Sequence, residues 1–325
     1  MASSTQHPVR TAVLAVGAVG AAAAVWGIGI ERHLYTLRRH TVAVLAPGSA
    51  PIRVLHISDV HMAPWQRRKQ AWIASLASLR PDLIINTGDN LGHPDAVRGI
   101  RAAFAGFRGI PGAFVHGSND LFASAPRNPL RYFLGPSKNH SREVRLDTEA
   151  MDSFFTSTLG WHDVNNAAAT VDVHGRRVNL VGVNDAHRNW DRLDLLPGLF
   201  DQLQAASTDL DGDGLADPEA DPHPLTVAVT HAPYRRVLDA FTGAGADVIF
   251  GGHTHGGQVR VPGFGALVAN CDIPLKQASG LSSWHRLGHT AALNVSAGLG
   301  HSIYAPVRFA CPPEASLPTL VAREA

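Results

Sequence analysis

The 325-residue sequence contains little charge and little cysteine. Charged residues make up 17% of the chain, and 28 basic residues against 27 acidic ones leave a net charge of +1. Proteins that bind nucleic acid electrostatically usually carry a clustered basic excess, so the composition does not favour that class. The two cysteines, Cys271 and Cys311, are able to pair, but two cysteines do not identify a cellular compartment.

Apolar residues, turn formers and histidine are abundant instead. Hydrophobic residues make up 45% of the chain, with 31 glycines and 21 prolines, which indicates a globular protein with many turns. The length fits one large α/β domain or two small domains, and we favour one. The 18 histidines stand out because imidazole is the commonest metal ligand in proteins.

One charge-free segment, "TAVLAVGAVGAAAAVWGIGI" at Thr11–Ile30, is 20 residues long. About 20 residues are needed for a helix to cross a hydrocarbon core of roughly 30 Å. We therefore expect a single-pass membrane anchor over residues 1–31. The alternatives are a signal peptide that is cleaved within Ala21–Ala24 and a buried Ala-rich helix. The distribution of arginines favours a cytoplasmic catalytic domain but leaves the side open, with Arg10 before the segment and Arg32, Arg38 and Arg39 after it.

Residues 32–51 are expected to link this anchor to a domain over residues 52–325. The domain opens with short apolar runs, "IRVLHIS", "DLIIN" and "GAFVHG", separated by stretches of helical periodicity. This alternation predicts a mostly parallel sheet covered by helices. Further along we expect a hairpin that turns at His174-Gly175, a helix over Asp191–Ala205, the strands "LTVAVTH" and "DVIFGG", and a strand-rich tail.

Polar residues follow five of the predicted strands. In open α/β sheets ligands bind just beyond the carboxyl ends of strands, so we expect these residues to converge on one crevice. Any one of the five segments alone would more often be a turn than a site, but their common position after strands supports a shared function. The segments are "HISDVH" (Asp59, His61), "INTGDN" (Asp89, Asn90), "VHGSND" (Ser118, Asn119, Asp120), "AVTHAP" (His231) and "FGGHTHGG" (His253, His255).

Such a set of side chains predicts a metal centre. Buried carboxylates and histidines need a cation to pair them, because an unpaired buried charge is costly. A mixture of Asp, His and Asn suits Mn, Fe or Zn better than Ca or Mg. The candidates exceed the ligands of a single catalytic zinc, which favours two divalent ions bridged by one carboxylate, for which we expect Asp89.

The ordered motifs Asp59-x-His61, Gly88-Asp89, Gly117-Ser-Asn-Asp120, His231 and Gly252-His-Thr-His255 resemble those of calcineurin-like metallophosphoesterases. The resemblance extends from about Ile52 to Leu320. It is strongest to the bacterial membrane-associated branch that contains YkuE-like and YaeI-like phosphodiesterases. It implies a four-layer α/β/β/α sandwich, with Asp59, His61, Asp89 and His255 on one ion and Asp89, His231, His253 and a residue of the Gly117 loop on the other.

The Gly117 loop departs from the family pattern, which is usually Gly-Asn-His-Asp or Gly-Asn-His-Glu. A carboxamide is a better metal ligand than a hydroxyl, so we expect Asn119 to bind the second metal, supported by Asp120, with Ser118 as a spacer. Asn119, Asp120 and His231 are the expected catalytic residues. Direct alignment of the loop puts Ser118 at the family's ligand position and Asn119 at the position of its proton-donating histidine; with the one-residue shift that makes Asn119 the ligand, no residue fills the histidine role, for which His93, His116 and His187 are candidates. The substrate side is expected to include Asn90, Ser118, Asn184, Asp185 and His187, although Asn184 and Asp185 are equally typical of a turn.

Three functions compete at this point. The first is a phosphoesterase that hydrolyses a phosphodiester or pyrophosphate by attack of a metal-activated hydroxide, with a lipid-linked substrate suggested by the anchor. The second is a membrane-anchored binding or scaffold protein with the same fold and little turnover. The third is a calcium-dependent module at "DLDGDGLAD", Asp209–Asp217; because Ala220 stands where a calcium loop has its bidentate Glu, a solvated acidic loop is preferred.

Overall fold

The computed structural model describes residues 6–123, 144–208, 224–301 and 305–324. The proposed calcium loop, Asp209–Asp217, lies outside the described residues. In chain order the strands are β1 Thr36–Leu45, β2 Ile52–Ile57, β3 Leu83–Asn86, β4 Gly112–Phe114, β5 His162–Asp163, β6 Ala167–Val173, β7 Arg176–Gly182, β8 Leu225–Val229, β9 Val248–Gly251, β10 Arg260–Val261, β11 Gly265–Ala266, β12 Gly280–Arg286, β13 His289–Val295 and β14 Glu314–Ala322.

Most of these strands form two sheets. Within the described residues the first sheet has the order β1-β14-β2-β3-β4-β5, and the second has the order β12-β13-β9-β8-β7-β6. The central strands β2 to β5 run parallel, as do β7, β8 and β9. Strands β6 and β7 form the predicted antiparallel hairpin. Because parallel neighbours end at the same edge of a sheet, the loops after them are brought together.

Helices cover the outer face of each sheet. Alternate strand residues point to opposite faces, so Val54 and Ile85 join the core between the sheets with Val227, whereas Leu55 and Ile84 pack under the helices. The predicted four-layer α/β/β/α sandwich is confirmed. The helices are α1 Gln6–Val25, α2 Arg67–Ser75, α3 Val97–Phe104, α4 Ser118–Leu121, α5 Thr148–Ser153, α6 Leu196–Thr208 and α7 Arg235–Gly243; α2, α3 and α5 cover the first sheet, and α6 and α7 cover the second.

The segment 32–51, expected as a linker, contains an edge strand of the first sheet. Residues Thr36 to Ala43 in β1 pair in parallel with Glu314 to Val321 in β14, which in turn pairs antiparallel with β2. The apolar run in "HTVAVLAPGSAP" is typical of such a strand, with the Pro/Gly turn after it, and the role of residues 32–51 as a linker stays a prediction. The partner strand lies at the other end of the sequence, so no local pattern indicates the pairing.

The apolar segment near the N-terminus is helical. After α1, a π-helical turn at Trp26–Ile30 and a 3₁₀ turn at Glu31–His33 lead into β1. The stretch Arg10–His33 is long and apolar enough to cross a membrane: an 18-residue window within it has a mean hydropathy of 2.1, and only 6% of that window is buried. A buried Ala-rich helix is therefore the wrong alternative, whereas a membrane anchor and a signal sequence both fit these properties.

Candidate metal centre

The loops after five strands meet at one edge of the sandwich. Loops after β2, β3 and β4 come from the first sheet, and loops after β8 and β9 come from the second. Apart from Asn119, which is half-buried, the side chains they contribute are at most 8% exposed. The structure brings together the side chains that the sequence predicts as metal ligands, namely Asp59, His61, Asp89, Asn119, His231, His253 and His255.

One group of donors consists of Asp59, His61 and His255. One ligand atom from each residue lies within 4.8 Å of the others. The Nε2 atoms of His61 and His255 are 3.3 Å apart, and Nε2 of His255 is 3.7 Å from Oδ1 of Asp59. Two imidazole nitrogens and a carboxylate oxygen directed at one point are a suitable donor set for a divalent transition metal.

A second group overlaps the first and consists of Asp59, Asp89 and His231. Oδ2 of Asp89 lies 3.5 Å from Nε2 of His231 and 3.6 Å from Nε2 of His61, so it sits between histidines of the two groups. Nδ1 of His253 is 3.3 Å from Nε2 of His231. Asp89 therefore has the position expected of a bridging carboxylate, and Asp59 is also close to both groups.

The backbone of these loops is unusual. Asp59, His61, Asp89, His253 and His255 have φ angles between 42° and 65°, in the left-handed region that residues other than glycine seldom adopt. Each such residue costs on the order of 1–3 kcal/mol and persists only where surrounding contacts enforce it, which is most often at functional sites. Five of them among the candidate ligands indicate that the loops are shaped for the site and not for backbone stability.

Hydrogen bonds orient two of the imidazole rings. Nδ1 of His231 lies 2.7 Å from the carbonyl oxygen of Thr87, and donation to that oxygen leaves the lone pair of Nε2 directed at the site. Nε2 of His253 lies 3.3 Å from the carbonyl oxygen of Asn270, which leaves Nδ1 directed inwards. A metal-binding histidine commonly has its second ring nitrogen held in this way.

Burial sets the charges of the site. It lowers the pKa of His61 to about 4 and the pKa values of His253 and His255 well below 6.5, so these rings are neutral and able to bind a cation. Burial, with the neighbouring Asp89, raises the pKa of Asp59 to about 6. Burial alone would lower the pKa of His231, but the Asp89 carboxylate outweighs it and raises that pKa. The neutral rings of His61, His253 and His255 beside buried carboxylates fit a pair of divalent cations, and a cation at Nε2 of His231 would take the place of the proton that its raised pKa favours.

The Gly117 loop directs Asn119 into this group. The backbone N–H of Asn119 donates to Oδ1 of Asp89 at 2.8 Å, and its side-chain amide donates to Oδ2 at 2.7 Å. Gly117 makes this approach possible, since a Cβ there would overlap the Asp89 carboxylate. Of the two candidate ligands in the loop, Asn119 is thus the one whose side chain reaches Asp89.

Asp120 holds the loop after β3 in place. Its carboxylate is fully buried and accepts backbone hydrogen bonds from Asp89 at 2.8 Å, Asn90 at 2.6 Å, Leu91 at 3.1 Å and Gly117 at 3.1 Å. Burial raises the pKa of Asp120 to about 6. The side chain does not face a reacting group, and its contacts support Asp89.

Asn90 has a different role from the one expected. Its side chain is fully buried and exchanges two hydrogen bonds with Asn86, at 2.7 and 3.0 Å. Since both its amide groups are occupied within the turn, the expectation that Asn90 contacts substrate is wrong. A polar residue after a strand also serves to close the turn itself, and the sequence pattern does not distinguish the two uses.

The loop after β7 lies beside the second group of donors. Asp185 is fully buried and accepts the His187 N–H at 2.8 Å, while its Oδ2 has no hydrogen-bond partner among the described residues. Burial raises the pKa of Asp185 to about 6. The half-buried His187 ring is 4.5 Å from the His253 ring, and its Nδ1 is 3.1 Å from the Tyr234 hydroxyl. Asn184 accepts the backbone N–H of Asp185 at 2.7 Å, which is a turn contact.

The other two candidate proton donors are directed elsewhere. Nε2 of His116 pairs with Asp152 at 2.8 Å, and the His93 ring packs edge-on against Trp65 with ring centres 5.0 Å apart. Only His187 of the three candidates packs directly against a side chain of the donor groups among the contacts found in the described residues.

Two buried cations close to the site have no signal in the sequence. Nζ of Lys69 donates to the carbonyl oxygen of Val60 at 2.7 Å, and burial lowers its pKa to about 7. Arg308 is fully buried and donates to the carbonyl oxygen of His255 at 3.3 Å. Arg308 lies in the tail "VSAGLGHSIYAPVRFACPPEASLPTL", but nothing in that pattern marks it as a site residue, and a buried position for a lysine or an arginine is not expected from its type.

Comparison with known proteins places these residues in a family. The model of the calcineurin-like phosphoesterase family matches residues 52–257. No curated protein matches the chain in sequence.

Solved structures resemble the chain only distantly. A 5'-nucleotidase precursor from Thermus thermophilus is 13% identical, with 84% of this chain and 55% of that chain covered and a TM-score of 0.39. An NAD nucleotidase from Haemophilus influenzae is 10% identical, with 77% and 51% covered and a TM-score of 0.43. A dimetal phosphatase from Danio rerio is 11% identical, with 76% and 88% covered and a TM-score of 0.37. The chain thus spans about half the length of the first two proteins. The family model matches more than half of the chain, and the chain belongs to the calcineurin-like phosphoesterase family.

Proposed function

We propose that the protein is a dinuclear metal-dependent phosphoesterase that hydrolyses a phosphodiester or pyrophosphate bond. The observation that carries the proposal is the pair of overlapping donor groups, Asp59–His61–His255 and Asp59–Asp89–His231, buried at the ends of parallel strands. Two divalent ions roughly 3.5–4 Å apart, when bound, supply a nucleophile from water at neutral pH and stabilise both oxygens of an in-line displacement at phosphorus.

We assign the ligands to two ions. Asp59, His61 and His255 would hold one, and His231, His253 and Asn119 would hold the other, with Asp89 between them. The Asn119 amide lies against the Asp89 carboxylate, and rotation of the amide exchanges its nitrogen and oxygen. Mixed nitrogen and oxygen donors favour Mn, Fe or Zn.

The substrate side is assigned to the loop after β7. His187 is half-buried beside His253 and held by Tyr234, which leaves part of its ring accessible to a ligand. Together with Ser118 and Asn184, both half-buried, it would contact the phosphoryl group or the leaving group. Asp185 would support this loop through the N–H group of His187.

The branch and the substrate class are finer proposals. The tail "VSAGLGHSIYAPVRFACPPEASLPTL" resembles that of the bacterial membrane-associated branch with YkuE-like and YaeI-like phosphodiesterases, and the exposed apolar helix also supports membership of this branch. A domain held at a membrane by this helix would meet phosphoesters in lipid headgroups or lipid-linked precursors. The phosphodiesterase specificity and the lipid-linked substrate rest on this argument.

A membrane-anchored scaffold with little turnover is the second candidate. The observation in its favour is the amide of Asn119 at a position where the family has a proton-donating histidine. The retained buried donors oppose it, since a scaffold has no need of five strained ligand residues.

The test is metal analysis and activity of the full-length chain in detergent. We expect about two metal equivalents, and hydrolysis of bis-p-nitrophenyl phosphate or p-nitrophenyl phosphate with Mn, Fe or Zn. Asp89→Ala should lose turnover and at least one metal equivalent. Asp194→Asn, which changes an exposed carboxylate outside the two donor groups, is the matched control. Two bound metals without hydrolysis of either ester under any metal would favour the scaffold.

A further inference from the structure

The segment that follows the apolar helix is built into the domain. Glu31 is only 5% exposed, and its carboxylate accepts hydrogen bonds from the backbone N–H groups of Ala310 at 3.0 Å and Cys311 at 2.6 Å. The Trp26 indole donates to the same carboxylate at 2.7 Å. A buried carboxylate needs such partners, so these three donors fix the end of the helix against residues 310–311.

A second contact joins the same two segments. The carbonyl oxygen of Gly27 accepts the backbone N–H of Arg308 at 3.1 Å. A Cβ at Gly27 would lie 2.8 Å from the Arg308 carbonyl oxygen, which is closer than real Cβ atoms approach. Glycine at this position therefore allows the helix backbone to touch the segment that carries Arg308. Gly29, two residues further on, has nothing within 4 Å of the equivalent position.

Arg308 connects this segment to the loops of the candidate metal centre. Its guanidinium donates to the carbonyl oxygens of Ala297 at 2.7 Å, Gly298 at 3.1 Å and His255 at 3.3 Å. Gly298 packs against Asp59, since a Cβ there would lie 2.5 Å from the Asp59 Cβ. Arg308 thus holds the loop of His255 and the loop that backs Asp59.

We propose that the end of the apolar helix is a positioning element of the metal centre. Through Gly27 and Glu31 it fixes the segment of Arg308, and through Arg308 it fixes the geometry of the Asp59–His61–His255 group. The inference rests on the proposed metal centre. Glu31 then has a role in cation binding although it is no ligand. The ion bound by Asp59, His61 and His255 would lie at a fixed place relative to the apolar helix.

The experiment titrates Mn²⁺ into the metal-free, full-length chain in detergent by calorimetry. The wild type should bind two equivalents. Gly27→Ala should weaken one of the two sites about tenfold and leave the other unchanged, because a shift of the Arg308 segment disturbs His255 but not His231. Gly29→Ala is the matched control and should bind both ions as the wild type does. Circular dichroism confirms that each variant is folded.

Glu31→Gln tests the same link where Gly27→Ala does not fold, and it should weaken the same site. A flexible Gly-Ser insertion between Val25 and Trp26 keeps both contacts and should leave both affinities unchanged. The proposal is overturned if Gly27→Ala and Glu31→Gln bind both ions as the wild type does, or if they weaken both sites equally, which is general destabilisation. A wild type that binds no Mn²⁺ would overturn the metal centre instead.

Discussion

Replacement of Asp120 by asparagine tests whether the Gly117 loop works as a support for Asp89. The Asp120 carboxylate accepts four buried backbone N–H groups, from Asp89, Asn90, Leu91 and Gly117. The oxygen of an asparagine amide can keep two of these donors, but its NH₂ group then faces the other two. A buried donor left without an acceptor costs about 1–3 kcal/mol, so Asp120→Asn should lower the free energy of unfolding by about 2–6 kcal/mol.

The expected loss in the free energy of unfolding of Asp120→Asn can be measured by urea unfolding. A domain of this kind is stable by about 5–15 kcal/mol, so the variant should still fold but unfold at a clearly lower urea concentration. We would follow urea unfolding by circular dichroism at pH 8, where the wild-type carboxylate is ionised because its pKa is about 6. Metal affinity should fall as well, since the lost pair of donors, either residues 89 and 117 or residues 90 and 91, includes Asp89 or the residues directly after it.

The control for Asp120→Asn removes a carboxylate that has no buried partner. Asp194 is exposed and pairs with Arg192 at 2.7 Å, a surface ion pair of little energetic value, so Asp194→Asn should unfold at the wild-type urea concentration. If Asp120→Asn unfolds like the wild type and also binds both metals with wild-type affinity, the four hydrogen bonds do not position Asp89, and the role assigned to this loop is wrong.

Three further variants test separate parts of the site. Gly117→Ala places a methyl group against the Asp89 carboxylate and should abolish binding of at least one ion; metal retention at the wild-type level would contradict the contact. Asn119→Ala should weaken binding of the ion assigned to His231 and His253 about tenfold or more in a metal titration, while Ser118→Ala should leave it unchanged. Weaker binding in Ser118→Ala with unchanged binding in Asn119→Ala would make Ser118 the ligand. Burial lowers the pKa of Lys69 from 10.5 to about 7. Between pH 7 and pH 10.5 the Lys69 side chain therefore carries a proton in the unfolded chain that it lacks in the folded chain. The free energy of unfolding should rise with pH over this range. Lys69→Met should remove that rise in urea unfolding at pH 7 and 9, whereas an unchanged slope would show that Lys69 is charged in the fold.

The positions of the metal-binding loops could be predicted because they follow from local features. An apolar run predicts a strand, and a polar cluster directly after it marks the carboxyl end where parallel strands meet. Asp59, Asp89 and His231 each follow this pattern. The same rule misassigned Asn90, since a polar side chain after a strand also closes the turn, as its pair of hydrogen bonds with Asn86 does.

The contacts that join distant parts of the chain could not be predicted. Strand β1 pairs with β14, and Glu31 accepts hydrogen bonds from Ala310 and Cys311, about 280 residues away. Composition and periodicity describe neighbours along the chain, and they carry no information on which strand joins an edge. Arg308 was missed for the same reason, because its partners are the carbonyl groups of a loop that the sequence does not connect to it.

The altered Gly117 loop bears on which phosphoester the centre would hydrolyse. A positioned proton donor contributes about 10²- to 10⁴-fold to a rate, and that contribution matters most when the leaving oxygen is strongly basic. A phosphate leaving group from a pyrophosphate departs without a proton at neutral pH, whereas an alkoxide from a simple diester does not. The amide of Asn119 at Asp89 can serve metal binding but cannot protonate an alkoxide. The site is therefore better suited to a pyrophosphate than to an alkyl diester, unless His187, held at the other side of His253 by Tyr234, supplies the proton.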